Sequence, residues 1–333
     1  MSFSHDIGDY PDGIVLPIDK PYRWTSADVI RKVKFAAIKH FRKKNLKVGH
    51  AGTLDPLATG VLLVCIGPAC KRAQEFQDHD KEYVAGIRFG ATTPSYDLEK
   101  EVDRTFPYDQ VTEEAVRAVL PSFLGTQEQV APLFSAKSVD GVRAYEMARK
   151  LYRNAQKGIL DPDFDAAALE TLHHSTITIS EIELLDFSTA LEMTGDGLCE
   201  ASDETPRTNF FSPGKRSKKS CPTPLADATC SEKVSTSVSP IDTHSVILSE
   251  SEESQISTAS SRIHVTDTSA FGLPEARIRI ACSKGTYIRA FARDLGEALG
   301  TGAHLSSLVR TRTGDFRLED ALTLDQVLAL LAE

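Results

Sequence analysis

The stretch Gly49-His50-Ala51-Gly52-Thr53-Leu54-Asp55-Pro56-Leu57-Ala58-Thr59-Gly60 runs straight into the apolar segment Val61-Leu62-Leu63-Val64-Cys65-Ile66. Three glycines and a proline around one aspartate, next to the longest apolar run of the chain, describe a tightly shaped loop at the edge of a buried strand. Glycine permits positive φ and lets another chain or a ligand approach closely. Pro56 restricts Asp55 to extended conformations, which fixes the direction of its carboxylate. Taken alone, Asp before Pro is also an ordinary way to begin a turn, so the loop must be read with its surroundings.

Outward from that strand, the hydrophobic pattern switches between the two periods. Ile14 to Ile18 reads as a short strand. Ser26 to about Phe41 reads as a helix capped by Thr25 or Ser26, with Val29, Val33, Ala36 and Ala37 on one face. Ala69 to Phe76 is predicted helical, and Lys81 to Gly90 is a strand with Tyr83, Ala85, Ile87 and Phe89 on one side. A helix starts at Thr112-Glu113-Glu114 and ends before Pro121, and another covers Ala144 to about Tyr152. Strands follow at Thr176–Phe187 and Ala276–Cys282, then a helix at Tyr287–Leu299, a strand near Leu305–Arg310 and a last helix from Leu324. There is no internal repeat and no regular βαβ spacing. The expected fold class is α+β, with a mixed or largely antiparallel sheet flanked by helices.

Residues 188–270 break this pattern. They hold 17 Ser and 11 Thr, and their only aromatics are Phe210 and Phe211. Such a composition buries too little apolar surface to offset chain entropy, so 188–271 is expected to be a disordered low-complexity insert. Residues 1–187 and 272–333 then form one discontinuous folded body. The insert carries 12 acidic and 7 basic residues, so it supplies −5 of the chain's formal −9. Within the body, eight Lys or Arg and no acid lie between Arg31 and His50, and seven Lys or Arg with only Asp294 and Glu297 lie between Arg277 and Arg312. Two such blocks could form one phosphate-facing surface, or two ordinary solvated faces. The apolar runs are far shorter than the roughly 18–20 residues of a membrane span, and the N-terminus has no signal-peptide pattern. Six cysteines without a C-x-x-C pair suggest a reduced, cytoplasmic protein with no metal site.

A second informative stretch is Cys282-Ser283-Lys284-Gly285-Thr286-Tyr287-Ile288-Arg289, at a strand–helix junction where free backbone N–H groups favour anions. Tyr287 and Arg289 lie in the first helical turn and can face one cleft. An arginine there can hold a buried carboxylate ionised and oriented.

Together these stretches resemble the TruB-type tRNA pseudouridine synthases. The resemblance is carried in order by Asp19-Lys20-Pro21 with Thr25-Ser26, by residues 49–60, and by Lys81-Glu82-Tyr83. It continues in Pro132-Leu133-Phe134-Ser135-Ala136 with Gly141 and Ala144-Tyr145. It ends in residues 282–289 with Asp294-Leu295-Gly296 and Gly302-Ala303-His304-Leu305. It covers nearly all of 14–187 and 274–322.

What the resemblance implies is a pseudouridine synthase catalytic fold that isomerises the uridine at position 55, in the T loop of tRNA. Asp55 matches the catalytic aspartate that initiates breakage of the base–ribose bond, whether it attacks the base or the ribose. Arg289 matches the arginine that pairs with it, Tyr83 a tyrosine that stacks on the flipped uracil, and Tyr287 a second active-site tyrosine. His50 matches a histidine near the extruded base, which must leave its stack to be reached. The RNA-binding set expected with it is His50, Lys20, Arg31, Lys32, Lys43, Lys44, Lys284 and Arg310. The partner is the tRNA T arm, with no metal or organic cofactor, no membrane, and a monomer. Three departures from the family pattern stand out. The chain ends shortly after Arg312-Thr313-Gly314, so no C-terminal PUA-type domain is expected. The insert at 188–271 falls where relatives have a short connection. Lys137 is one residue from the usual lysine and is given no role. A guide-RNA-dependent dyskerin-type synthase and an RNA-binding folding helper remain as alternatives.

Overall fold

The computed structural model describes residues 3–132, 138–139, 142–143, 174–189 and 263–332. These belong to one unit comprising residues 1–195 and 248–333, and the second unit, 196–247, lies outside the described residues. The apolar run 61–66 lies in the strand Ala58–Ile66. It is apolar throughout because both its faces are covered. Leu62, Val64 and Ile66 enter the main core, and Val61, Leu63 and Cys65 enter a second cluster with Ala51, Ala69 and Phe76.

In chain order the main elements are β1 (Ile14–Lys20), α1 (Ser26–His40), β2 (Val48–Ala51), β3 (Ala58–Ile66), α2 (Ala73–Asp78) and β4 (Lys81–Phe89). Next come α3 (Glu113–Val119), β5 (Gly125–Val130), β6 (His174–Ser188), β7 (Glu275–Cys282) and α4 (Ile288–Ala298). The chain closes with β8 (Ala303–Thr313), β9 (Leu322–Thr323) and α5 (Leu324–Leu330). One sheet runs in the order β9-β1-β3-β8-β4-β7-β6-β5, with β2 beside β3. It is mixed: β9 runs parallel to β1 and β8 runs parallel to β3, while the other neighbours are antiparallel. The fold class is therefore the expected α+β arrangement.

Local sequence explains most boundaries. Thr25 and Asp28 form a reciprocal capping box that starts α1, whose buried face is Val29, Val33 and Ala37. Thr112 caps α3 through its side chain, and Thr323 with Gln326 forms a second capping box for α5. The segment expected to be one helix from Ala69 begins instead as a 3-10 turn, Gly67–Arg72, with Pro68 at its start, and becomes α-helical only at Ala73. The helix expected at 144–152 and most of the motif from Pro132 to Tyr145 lie outside the described residues.

The expected boundary of the insert needs correction at its C-terminal end. Residues 263–271, grouped with it on composition, are packed. Thr266 and Thr268 are buried, the Thr266 N–H donates to the Leu98 carbonyl at 2.8 Å, and Arg88 donates to Thr268 Oγ1 at 2.7 Å. Arg23 also donates to the Ile263 carbonyl at 2.6 Å. Ser/Thr content misleads here because small polar side chains satisfy buried groups as readily as they solvate a loop. Extending a deletion of 190–262 to 190–271 is therefore expected to lower Tm by about 5 °C. Thermal scans of the two deletion proteins side by side test this, and equal Tm values would refute it.

Candidate active site

Asp55 sits in the loop 52–57 between β2 and β3. Five backbone groups of that loop are held by side chains. Gly52, with φ +96°, offers its carbonyl to Arg310 Nη2 at 3.1 Å, and Thr53 offers its carbonyl to Arg310 Nη1 at 3.4 Å. Ser26 Oγ accepts the Leu54 N–H and donates to the Leu54 carbonyl, both at 3.0 Å. The Asp55 carbonyl accepts from Ala58 N–H at 3.1 Å, and the Pro56 carbonyl accepts from Lys20 Nζ at 3.2 Å. Gly60 closes the loop where β3 passes β8. A Cβ there would lie 2.2 Å from the Arg310 carbonyl oxygen, so only glycine fits. Most of these contacts come from sequence-distant elements, and the loop is rigid because of them.

Against this loop the first turn of α4 places Arg289, whose side chain is 7% exposed against 37% for Asp55. Its Nε lies 2.8 Å from Asp55 Oδ2 and its Nη2 donates to Oδ1 at 3.2 Å, a two-point fork. Nη1 donates to the Ser95 carbonyl at 3.2 Å and lies 3.8 Å from Asp97 Oδ2. Asp97 is itself held by Ser95 Oγ at 2.6 Å and by the Glu99 N–H at 2.9 Å. Burial opposes the charge of Arg289, but Asp55, Asp97 and Glu99 outweigh it and hold the guanidinium above its ordinary pKa. The pairing expected for Asp55 and Arg289 is thus present. Asp97 and Glu99 carry no signal in the sequence, because Thr93-Pro94-Ser95-Tyr96-Asp97 looks like any polar turn.

Burial, then Asp97 and Asp55, push the Glu99 carboxyl up from 4.5 to about 7. Its folded form therefore favours the proton, and the stability this represents is present below pH 4.5 and lost as pH rises through about 7. Glu99→Gln is expected to gain on the wild type by up to about 3 kcal/mol across that window. Urea midpoints of both proteins at pH 4.5 and 8 measure it, and a difference independent of pH would contradict it.

A cleft of about 520 Å³ opens over Asp55. Its lining includes Gly52 to Asp55, Tyr83, Tyr287, Arg289 and Arg310, with Lys81 and Lys284. The four candidate residues Asp55, Tyr83, Tyr287 and Arg289 are therefore brought to one cavity. Tyr83 is 9% exposed, and burial raises its phenol pKa while neighbouring Arg310 pulls it back in part. Gln74, Gln77 and Asp78 of α2 also line the cleft and carry no signal in the sequence.

The residues expected to grip RNA divide into two groups. Lys20 is fully buried, with its ammonium on the carbonyls of Pro21, Trp24 and Pro56, and burial lowers its pKa to about 8. Arg310 is 1% exposed and spends its guanidinium on Gly52, Thr53 and Val61 carbonyls. Both are corrected from RNA contacts to supports of the Asp55 loop. Their cationic ends are consumed by backbone oxygens. Lys81 behaves alike, capping the end of α2 through the Gln77 and His79 carbonyls. His50 is half-buried on β2 and outside the cleft lining, and burial followed by Arg310 lowers its pKa, which favours the neutral ring. Arg31 is exposed and paired with Asp28 at 3.0 Å, Lys32 is half-buried, and Lys43 and Lys44 are exposed in the turn before β2. Lys284 is exposed at the cleft and paired with Asp78 at 2.9 Å.

The second basic block is largely neutralised within the protein. Arg279 is shared by Glu82, Glu181 and Glu183 at 2.9 to 3.3 Å, and Arg293 is paired with Asp294 at 2.7 Å. Among the described residues no group of three or more His, Cys, Asp or Glu side chains is arranged to hold a metal, and no helix is long and apolar enough to cross a membrane.

Comparison with known proteins adds an independent line. The family model of the TruB family pseudouridylate synthase N-terminal domain matches residues 39–159, and that of the tRNA pseudouridylate synthase B C-terminal domain matches residues 289–333. A protein named tRNA pseudouridine synthase B from Phocaeicola vulgatus is 38% identical over 317 residues, covering 95% of this chain and 92% of its own. One of the same name from Bacteroides thetaiotaomicron is 40% identical over 314 residues, covering 94% and 91%. The Flavobacterium johnsoniae protein of that name is 31% identical, covering 94% of each. Among solved structures, a Cbf5-Nop10-Gar1 complex contains a chain with TM-score 0.50 and 21% identity, covering 97% of this chain and 56% of that one, a likeness of fold alone. With the ordered motifs, the Asp55–Arg289 geometry and relatives of this identity along nearly its whole length, the chain belongs to the TruB family of pseudouridylate synthases.

Proposed function

We propose that this protein converts a uridine of tRNA, the one at position 55 in the T loop, into pseudouridine, with Asp55 as the catalytic residue. The observation that carries this reading is the Asp55 carboxylate, gripped by the Arg289 fork at 2.8 and 3.2 Å and presented to a cleft of nucleoside size. A nucleophile in this role must be oriented and partly shielded from bulk water. The fork and the loop's backbone clamps supply both.

In the reaction the N1–C1′ bond breaks, the uracil turns, and a C5–C1′ bond forms. The C5 proton is lost and N1 gains one, so atoms balance without redox change or hydrolysis. Asp55 initiates the bond breakage. The Tyr83 ring stacks on the extruded base, and its phenol, next to Arg310, serves proton movement at C5. Tyr287 also lines the cleft. Flipping the base costs a few kcal/mol, which stacking and phosphate contacts offset. For those contacts the exposed lysines 43, 44 and 284 are available, and Lys284 exchanges its Asp78 partner for a phosphate.

Pseudouridine mapping on an unmodified tRNA transcript with this protein alone tests the reading. Product at position 55 without added guide RNA is expected. No product, or product only with a guide RNA, would overturn it.

A further inference from the structure

Gln129, near the end of β5, is 4% exposed and faces no solvent that would reward a polar side chain. Its amide is bonded to both backbone polar groups of a single residue. Oε1 accepts the Tyr287 backbone N–H at 2.9 Å, and Nε2 donates to the Tyr287 carbonyl at 3.2 Å. Tyr287 has extended backbone angles, φ −101° and ψ 110°. An extended residue exchanges just this pair of bonds with a neighbouring strand, so the glutamine amide stands in for a strand. Tyr287 is also the residue that precedes α4, and its own side chain does not cap that helix. Gln129 instead holds both backbone groups of this N-cap residue, which ties the start of α4 to β5. Arg293 adds a second tie, donating to the Val130 carbonyl at 3.1 Å, so β5 grips α4 one turn further on.

We propose that Gln129 is a positioning residue for the active site. By fixing the Tyr287 peptide it directs the Tyr287 ring into the cleft and sets the start of α4, and with it the point where Arg289 meets Asp55. This rests on the reading that Tyr287 and Arg289 serve pseudouridine formation. A shift of about 1 Å in such a pair is enough to reduce turnover by about 100-fold without touching substrate affinity.

The test uses the full chain with Gln129→Leu, which fills the space without hydrogen bonds, and Gln129→Glu, which keeps the acceptor for the Tyr287 N–H and turns the donor to its carbonyl into a second acceptor. Steady-state turnover on a tRNA T-arm hairpin and amide exchange of residues 284–291 are measured together. For Gln129→Leu, kcat is expected to fall about 10- to 100-fold with KM within about threefold. Exchange in 284–291 should rise at least about tenfold while β4 and β7 keep their protection. Gln129→Glu, whose second oxygen faces the Tyr287 carbonyl as acceptor against acceptor in a buried position, should lose at least as much in both. Unchanged kcat, unchanged exchange at 284–291, or exchange rising uniformly through the sheet would each overturn the proposal. Were the wild type to make no pseudouridine, the functional reading would fail, and the exchange comparison would still decide whether Gln129 holds Tyr287.

Discussion

Replacing Asp55 by Asn is expected to reduce pseudouridine formation by at least about 1,000-fold while leaving T-arm binding within several-fold of wild type. The substitution is nearly isosteric, and the loop around it does not depend on the carboxylate. Its shape is held by Ser26 at Leu54, Lys20 at Pro56 and Arg310 at Gly52 and Thr53. What is lost is the anion. An amide offers the Arg289 fork one acceptor in place of two, and its nitrogen sets donor against donor. Asp97 and the Ser95 carbonyl still face the guanidinium, so the protein should fold and bind the T arm. Product mapping with and without the substitution, beside a filter-binding titration of the T arm, separates chemistry from affinity. Activity surviving in Asp55→Asn would remove this residue from the catalytic role.

Arg289→Met should damage both activity and stability. The guanidinium is the cation between Asp55, Asp97 and Glu99, and Asp97 is buried with it. Removing one partner of a buried ion pair costs about 3–5 kcal/mol, because the charge left behind has no compensation. The sign with pH follows from the carboxyls. Burial already raises the pKa of Asp97 and Glu99, and Arg289 is the largest of the groups that pull each of them back. Without it they rise further, so the variant's deficit should be larger at pH 8 than at pH 5, where protons neutralise the acids. Turnover should fall by at least about 100-fold, since the Asp55 carboxylate loses the fork that orients it. Arg289→Lys keeps the charge without the fork and should fall between the two. Urea titrations at both pH values with parallel turnover assays decide this. A Met variant as stable as wild type at pH 8 would show that the cluster is not held together by Arg289.

Much of this architecture is legible in the order of the residues. The apolar run 61–66 is a strand covered on both faces, and the Thr25/Asp28 and Thr112 caps mark helix starts because capping is a local interaction. The Asp55 loop is legible through its glycines and proline, which report backbone conformation directly. Less legible are the polar residues that support the site. Asp97 and Gln129 resemble ordinary turn and strand residues until their partners, Arg289 and Tyr287, arrive from 192 and 158 positions away. The same holds for residues 263–271, whose Ser/Thr-rich composition resembles the segment before them and whose packing depends on Leu98 and Arg88.

Charge divides the two levels most clearly. Residue order alone establishes that the body carries two basic blocks, that one aspartate lies in a glycine-framed loop, and that the ordered motifs resemble those of one enzyme family. What each cation faces is settled by packing in three dimensions. Lys20 and Arg310 turn inward to backbone carbonyls, Arg279 and Arg293 turn to acids, and Arg289 turns to Asp55, while Lys43, Lys44 and Lys284 remain at the surface. The cause is that a residue's charge belongs to its own side chain. Its partner depends on which strands lie side by side, and here β3, β8 and α4 meet at one loop from opposite ends of the chain.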